Sequence, residues 1–139
     1  MRLTTLAGVA GAMLVLASGC ASSRAPKPAP APACGSTNSE TVARYRAWIT
    51  EARALHPYGD SERRMFEVMR CESGCNASAV NRAGPYRGLF QYSDATWRGA
   101  WNLYRDQSML DPKAQIFATA LAWSKHMQGR WGSCYRRSR

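Results

Sequence analysis

The chain has 139 residues, the length of a single domain. Its 45% hydrophobic content excludes wholesale disorder, because that much apolar surface can build a core. With 19 Lys+Arg against 9 Asp+Glu, its net charge of +10 favours polyanions: cell-wall polymer, anionic lipid or nucleic acid.

The first segment bears on compartment. Arg2 precedes an apolar run from Leu3 to Ala17. That run falls short of the ~20 apolar residues that span a bilayer. A basic start, an apolar stretch and then small residues follow the order of a secretory signal. The run closes Leu16-Ala17-Ser18-Gly19-Cys20 and so resembles a bacterial lipoprotein signal, with Ala17 where Leu is commonest. The resemblance implies removal of residues 1–19 and a lipid anchor on Cys20. With Ala21 next, it also implies sorting to the periplasmic face of an outer membrane, in a host that has one. Ordinary secretion with cleavage nearby is the alternative. In an oxidising compartment Cys34, Cys71, Cys75 and Cys134 are an even set for two disulfides. No His stands close to Cys71 and Cys75 to complete a metal site. Neither a metal nor another cofactor is expected.

Residues 21–33 alternate Pro and Ala, which disfavours helix. With Cys20 they form a linker over 20–33, expected to be an extended spacer. The folded domain is expected over 34–134, followed by a mobile basic tail at 135–139. A first helix is predicted over Glu40–Leu55, with Val42, Tyr45, Ile49, Ala52 and Leu55 on one face. The run His56-Pro57-Tyr58-Gly59 ends it. A second helix starts after Asp60 or Ser61 and carries Met65, Val68, Met69 and Glu72 at i, i+3, i+4 and i+7. This spacing puts a carboxylate on the apolar stripe just before Gly74. Such a placement is costly without a purpose or a partner.

Residues 75–92 are rich in Asn, Gly, Ser and Pro and read as an irregular lobe or a short hairpin. A third helix is expected from Asp94 to about Tyr104, capped by Ser93 or Asp94. In a fourth, Asp111 is the cap and Pro112 the first turn. Its buried face is Ile116, Phe117, Ala120, Leu121, Ser124 and Met127, and Gly129 is its stop. The fold class is therefore mainly α: a small helical domain with one loop-rich lobe, stapled by disulfides.

The order Cys71-Glu72-Ser73-Gly74-Cys75-Asn76, Asn81, Gly88-Leu89-Phe90-Gln91-Tyr92, Thr96-Trp97 resembles the lysozyme superfamily, with an α+β lysozyme-like fold. It is similar to soluble lytic transglycosylases, and more so to resuscitation-promoting-factor domains. In those a Cys precedes the catalytic Glu and a second Cys follows a Gly/Trp segment, matched here by Cys71 and Trp131-Gly132-Ser133-Cys134. Gln115 and the helix after it also resemble that family. The chain departs from the transglycosylase pattern in having Phe90 for Met, no clean Asn/Tyr-rich motif in 118–128, and the extra Cys75.

The resemblance implies a catalytic Glu72 cutting the β-1,4 bond between N-acetylmuramic acid and N-acetylglucosamine in peptidoglycan. It implies that Gln91 binds a sugar amide or hydroxyl near that bond. It further implies a Cys71–Cys134 disulfide and, with it, Cys34–Cys75. Burial beside Met65, Val68 and Met69 should help Glu72 keep the proton that a leaving oxygen needs. Asn81 and Ser73 divide between turn bonding and site support, and Tyr86 and Tyr92 are candidates for the groove border. The tryptophans read as packing, with Trp97 under the cleft, and His56 and His126 as surface or cap residues.

Most glycosidases use a second carboxylate. Here the nearest is Asp94, which reads better as a helix cap. A lone acid suits the transglycosylase route, which by resemblance gives a 1,6-anhydro product. A hydrolytic muramidase and a non-catalytic wall-binding lipoprotein stay open. Export and the lack of a nucleic-acid-reading motif speak against nucleic acid as a partner.

Overall fold

The computed structural model describes Cys34 and residues 40–139. The proposed signal, the lipidation site Cys20 and the 20–33 linker lie outside the described residues. Helix α1 (Glu40–Leu55) packs on α2 (Glu62–Ser73) and on α4 (Pro112–Ser124), and α2 also meets α5 (Gly132–Arg137). A short α3 (Asp94–Trp97) and a 3-10 turn (Gln128–Trp131) complete the helical set. The described part is mainly helical, with two cysteine pairs at disulfide distance.

Local sequence accounts for most boundaries. Val42, Tyr45, Ile49 and Ala52 of α1 are buried, while Leu55, expected on that face, is 61% exposed beyond the edge of the core. At the start of α2, Ser61 Oγ accepts from the Arg64 amide at 3.1 Å. The helix ends at Gly74, in the left-handed conformation at φ 61°, whose N–H donates to Arg70 O. Cys75 follows at φ 63°, so two successive left-handed residues turn the chain sharply away from the helix.

Helix α4 is the centre of the domain. Asp111 caps it at 2.7 Å and Pro112 opens it, as the sequence predicts. Every residue from Ala114 to Trp123 is buried, not one face alone. A helix apolar nearly all round must be covered on all sides. It stops at Ser124, short of Met127, and the chain reverses at His126, which has φ 60°.

Three further expectations are corrected. The third helix is four residues long and does not reach Tyr104. Buried Asn102 explains the arrest: its amide donates to Trp97 O at 2.8 Å and accepts from the Tyr104 N–H at 2.9 Å, replacing helical bonds with its side chain. The cap of α3 is Ser93, and Asp94 instead pairs with Arg87. The end of the chain is no loose tail, since α5 runs through Arg137. Tyr135 donates to Asp60 at 2.9 Å, and the Arg64 guanidinium lies 3.8 Å from its ring centre.

The 75–92 lobe is held by isolated antiparallel bridges, Val80 with Arg87 and Arg87 with Tyr92, rather than by a full hairpin. Two cysteine pairs fasten it and the helices together. Cys34 and Cys75 have Cα atoms 5.2 Å apart, and Cys71 and Cys134 have theirs 5.6 Å apart. The second pair ties the end of α2 to α5 across 63 residues. In the chain-entropy account a closed loop of that length contributes about 4 kcal/mol. Replacing Cys71 and Cys134 together by Ser should lower stability by up to that amount in urea unfolding. Non-reducing peptide mapping of the parent should yield 34–75 and 71–134 linked peptides, and no 71–75 link.

Candidate active site

The end of α2, the lobe and the 3-10 turn enclose an open cleft of about 470 Å³. Of the residues singled out from sequence, Glu72, Asn81, Tyr86, Gln91 and Tyr92 line it. Phe90, Ser93, Thr96, Arg130 and Trp131 complete the wall. Ser73 does not line the cleft; its hydroxyl donates back to Met69 O at 3.2 Å within α2. Asp94 is also absent from the lining, and its side chain is 59% exposed in the pair with Arg87.

Glu72 is half-buried, beyond the fully buried Met65, Val68 and Met69. Its carboxylate forms no hydrogen bond and no salt bridge among the described residues. Burial pushes its pKa above the ordinary carboxyl value, and the Arg137 charge opposes that rise in part. Arg137 lies over the Cys71–Cys134 link, with a guanidinium nitrogen 3.2 Å from Cys71 Sγ. The α2 stripe read from sequence thus delivers its carboxyl to the mouth of the cleft, in a setting that favours a retained proton.

The opposite wall rests on Gln115, which is wholly buried in α4. Its Oε1 accepts from the Phe90 N–H at 2.9 Å, and its Nε2 donates to Met109 O. Gly88 runs so close to this amide that a Cβ there would overlap it, and its φ is 80°. Gln91 then sits at φ 51°, a conformation sparsely used by non-glycine residues. Its Nε2 donates to Gly88 O at 2.9 Å, which leaves its Oε1 without a donor among the described residues. Gln91 therefore offers an oriented acceptor to the cleft.

Tyr92 contributes differently from the expectation of a groove-border hydroxyl. It is only 3% exposed, and its OH lies 3.0 Å from Thr119 Oγ1. Thr119 donates its own proton to Gln115 O at 2.8 Å, so Tyr92 is the donor of the pair. Tyr92 is wall structure, whereas Tyr86, 45% exposed, has a free phenol at the rim. Asn81 uses Oδ1 to accept from the Ala83 N–H at 2.9 Å, and its Nδ2 has no partner among the described residues. Trp97 is buried and donates to Gln107 O at 3.1 Å, as packing beneath the site. His56, expected as a surface or cap residue, directly follows α1 with its backbone N–H donating to Ala52 O; it is half-buried and shares a 2.6 Å hydrogen bond with the Tyr104 hydroxyl. His126 is exposed at the turn after α4.

Arg130, Ser93 and Thr96 were not singled out from sequence as cleft residues. Ser93 and Thr96 were legible only as a cap and a motif residue. Arg130 enters the wall because Trp131 Nε1 donates to Phe90 O at 2.9 Å and pulls the 3-10 turn onto the lobe. No periodicity announces that contact. Among the described residues no three His, Cys, Asp or Glu side chains could hold a metal ion together, and no helix is long and apolar enough to cross a membrane. No family model, curated protein or solved structure matches the chain.

Two measurements probe this arrangement. Gln115→Leu should orphan the Phe90 N–H and the Met109 carbonyl, at on the order of 1–3 kcal/mol for each group, read as a fall in the urea midpoint. An NMR titration should find the Glu72 carboxyl above the ordinary Glu range. Arg137→Ala, which removes the charge favouring carboxylate, should move that titration further upward; a downward move would contradict the assigned sign.

Proposed function

We propose that this chain is a peptidoglycan-cleaving lytic transglycosylase with an α+β lysozyme-like fold, in which Glu72 acts first as acid and then as base. The observation that carries the reading is the state of Glu72. Among the described residues it is the one acidic residue lining the cleft and has no hydrogen-bond or ion-pair partner; it is half-buried and raised in pKa by burial. Around it stand the Gln91 amide oxygen and the Asn81 amide nitrogen, both unpaired among the described residues, and an exposed phenol at Tyr86. Amides, hydroxyls and aromatic faces are what a chain of N-acetylated sugars can meet by hydrogen bonding and stacking.

The chemistry follows from a lone acid. Protonated Glu72 gives its proton to the oxygen leaving C1 of N-acetylmuramic acid as the C1–O bond breaks. The 6-hydroxyl of the same sugar then bonds to C1, and its proton passes to the Glu72 carboxylate. A 1,6-anhydro end and a restored acid result, with no water consumed. The exposed, Arg87-paired Asp94 outside the cleft supports this route over the two-carboxylate hydrolysis of a muramidase. In the cell this activity would belong to an envelope protein anchored through Cys20, or to a secreted one, acting on glycan strands.

Glu72→Gln should lower turnover about 10²–10⁴-fold, the usual worth of a placed general acid, and abolish clearing in a murein zymogram. Unchanged clearing would remove the assignment. The same variant pulling down sacculi as well as a parent that never clears them would favour the wall-binding lipoprotein. Mass spectrometry of parent digests should show anhydro ends; reducing ends alone would make the enzyme a muramidase. The pH profile should fall on the alkaline side as Glu72 loses its proton, at a pH above the ordinary carboxyl range.

A further inference from the structure

We infer that Arg130 selects the substrate, by binding the carboxylate-bearing substituent that distinguishes a muramic-acid glycan from a neutral N-acetylglucosamine polymer. The inference rests on the cleft being a glycan site and adds what that site discriminates. Among the described residues Arg130 is the only cationic one in the cleft wall, as Glu72 is the only acidic one. It is exposed and makes no ion pair and no side-chain hydrogen bond among the described residues. Asp60 and Asp94 lie outside the cleft lining and are engaged by other arginines, Asp60 by Arg64 and Asp94 by Arg87.

The base of this side chain is fixed while its head is free. The Arg130 N–H donates to Met127 O at 3.1 Å. Trp131, next in the chain, is buried and bonded to Phe90 O. The guanidinium is therefore carried by a wall that does not have to form on binding, and little beyond its own rotamers must be ordered. A planar guanidinium with its donors unused matches a carboxylate in two parallel hydrogen bonds.

Arg137 acts on Glu72, and Arg130 acts on Tyr92 in the same wall. With Glu72 protonated, the lining carries one net positive charge. An uncharged glycan leaves that charge unmatched, and a muramyl carboxylate, on the lactyl ether or on its peptide stem, matches it.

The test uses the Glu72→Gln background, so that binding is read without cleavage. Isothermal titration measures a soluble muramyl oligomer with free carboxylates and the neutral N-acetylglucosamine tetramer. The expected result is that the muramyl ligand binds tighter by roughly tenfold or more, an advantage that shrinks with added salt. Arg130→Gln should remove most of that advantage by weakening the muramyl ligand alone, and Arg130→Lys should keep part of it. Equal weakening of both ligands, or no change in either, would overturn the role of Arg130 while leaving the glycan cleft intact. Failure of both ligands to bind the Arg130 protein would instead overturn the glycan reading and the inference with it. Thermal midpoints of the Arg130 variants should match the background; a drop that tracks the loss of binding would assign a structural role and sink the proposal.

Discussion

The buried amide of Gln115 is the constraint on which the cleft depends. Helix α4 is apolar along its buried length apart from Gln115 and Thr119, and a wholly buried amide there would be unfavourable without partners. It finds them in the Phe90 N–H and the Met109 carbonyl, one on the lobe and one on the loop before α4. One side chain thus joins two irregular segments that no ladder of backbone bonds would hold. The loop from Gly88 to Tyr92 is shaped by that contact. Gly88 must be glycine to pass the amide, Gln91 takes an unusual backbone conformation just after it, and Tyr92 turns inward to Thr119 one helical turn along α4. The acceptor offered by Gln91 is a consequence of a buried bond made by a residue that never reaches the cleft.

The acid is held from the other side. Glu72 stands between Cys71, linked to Cys134, and Gly74, which ends α2 and precedes Cys75, linked to Cys34. The last turn of α2 is therefore covalently bracketed on both sides of the carboxylate. A helix end frays easily, and a side chain on it keeps a fixed position only where that end is restrained. The two links, together with the Tyr135 and Arg64 contacts of α5, restrain this terminus where a helix of three turns alone would not.

Much of this was legible in the sequence, for identifiable reasons. The apolar spacing of Met65, Val68, Met69 and Glu72 fixed the face of α2, because helical periodicity is a local signal that burial then exploits. Ser61, Asp111 and Pro112 marked starts correctly, because capping is decided within one turn. What was not legible depends on contacts distant in sequence. The arrest of α3 rests on Asn102 turning its amide back to Trp97, and nothing in the helix-compatible run before it foretells that choice. Arg130 joins the cleft through a Trp131–Phe90 bond spanning 41 residues. The helical α5 exists because Cys134 and Tyr135 anchor it to α2, while its arginine-rich composition alone resembles a solvated tail. Ser73 and Tyr92 show the converse limit: motif membership put them near the acid, and their hydroxyls bond inward instead.

The charge of the chain sharpens the case of Glu72. A protein with a net charge of +10 presents a field that favours ionised carboxylates, and most of its acids sit in ion pairs with arginine or lysine. Glu72 is unpaired among the described residues, and burial outweighs the opposing Arg137 guanidinium. The distinction is dielectric rather than numerical. Exposed arginines are screened by solvent and salt, so their sum acts weakly on a group recessed in a cleft, whereas the loss of hydration acts on that group directly. A basic exterior and a carboxyl raised in pKa are therefore compatible within 139 residues. The exterior acts through solvent over about a Debye length, and the recess raises the pKa of Glu72 by withdrawing it from water.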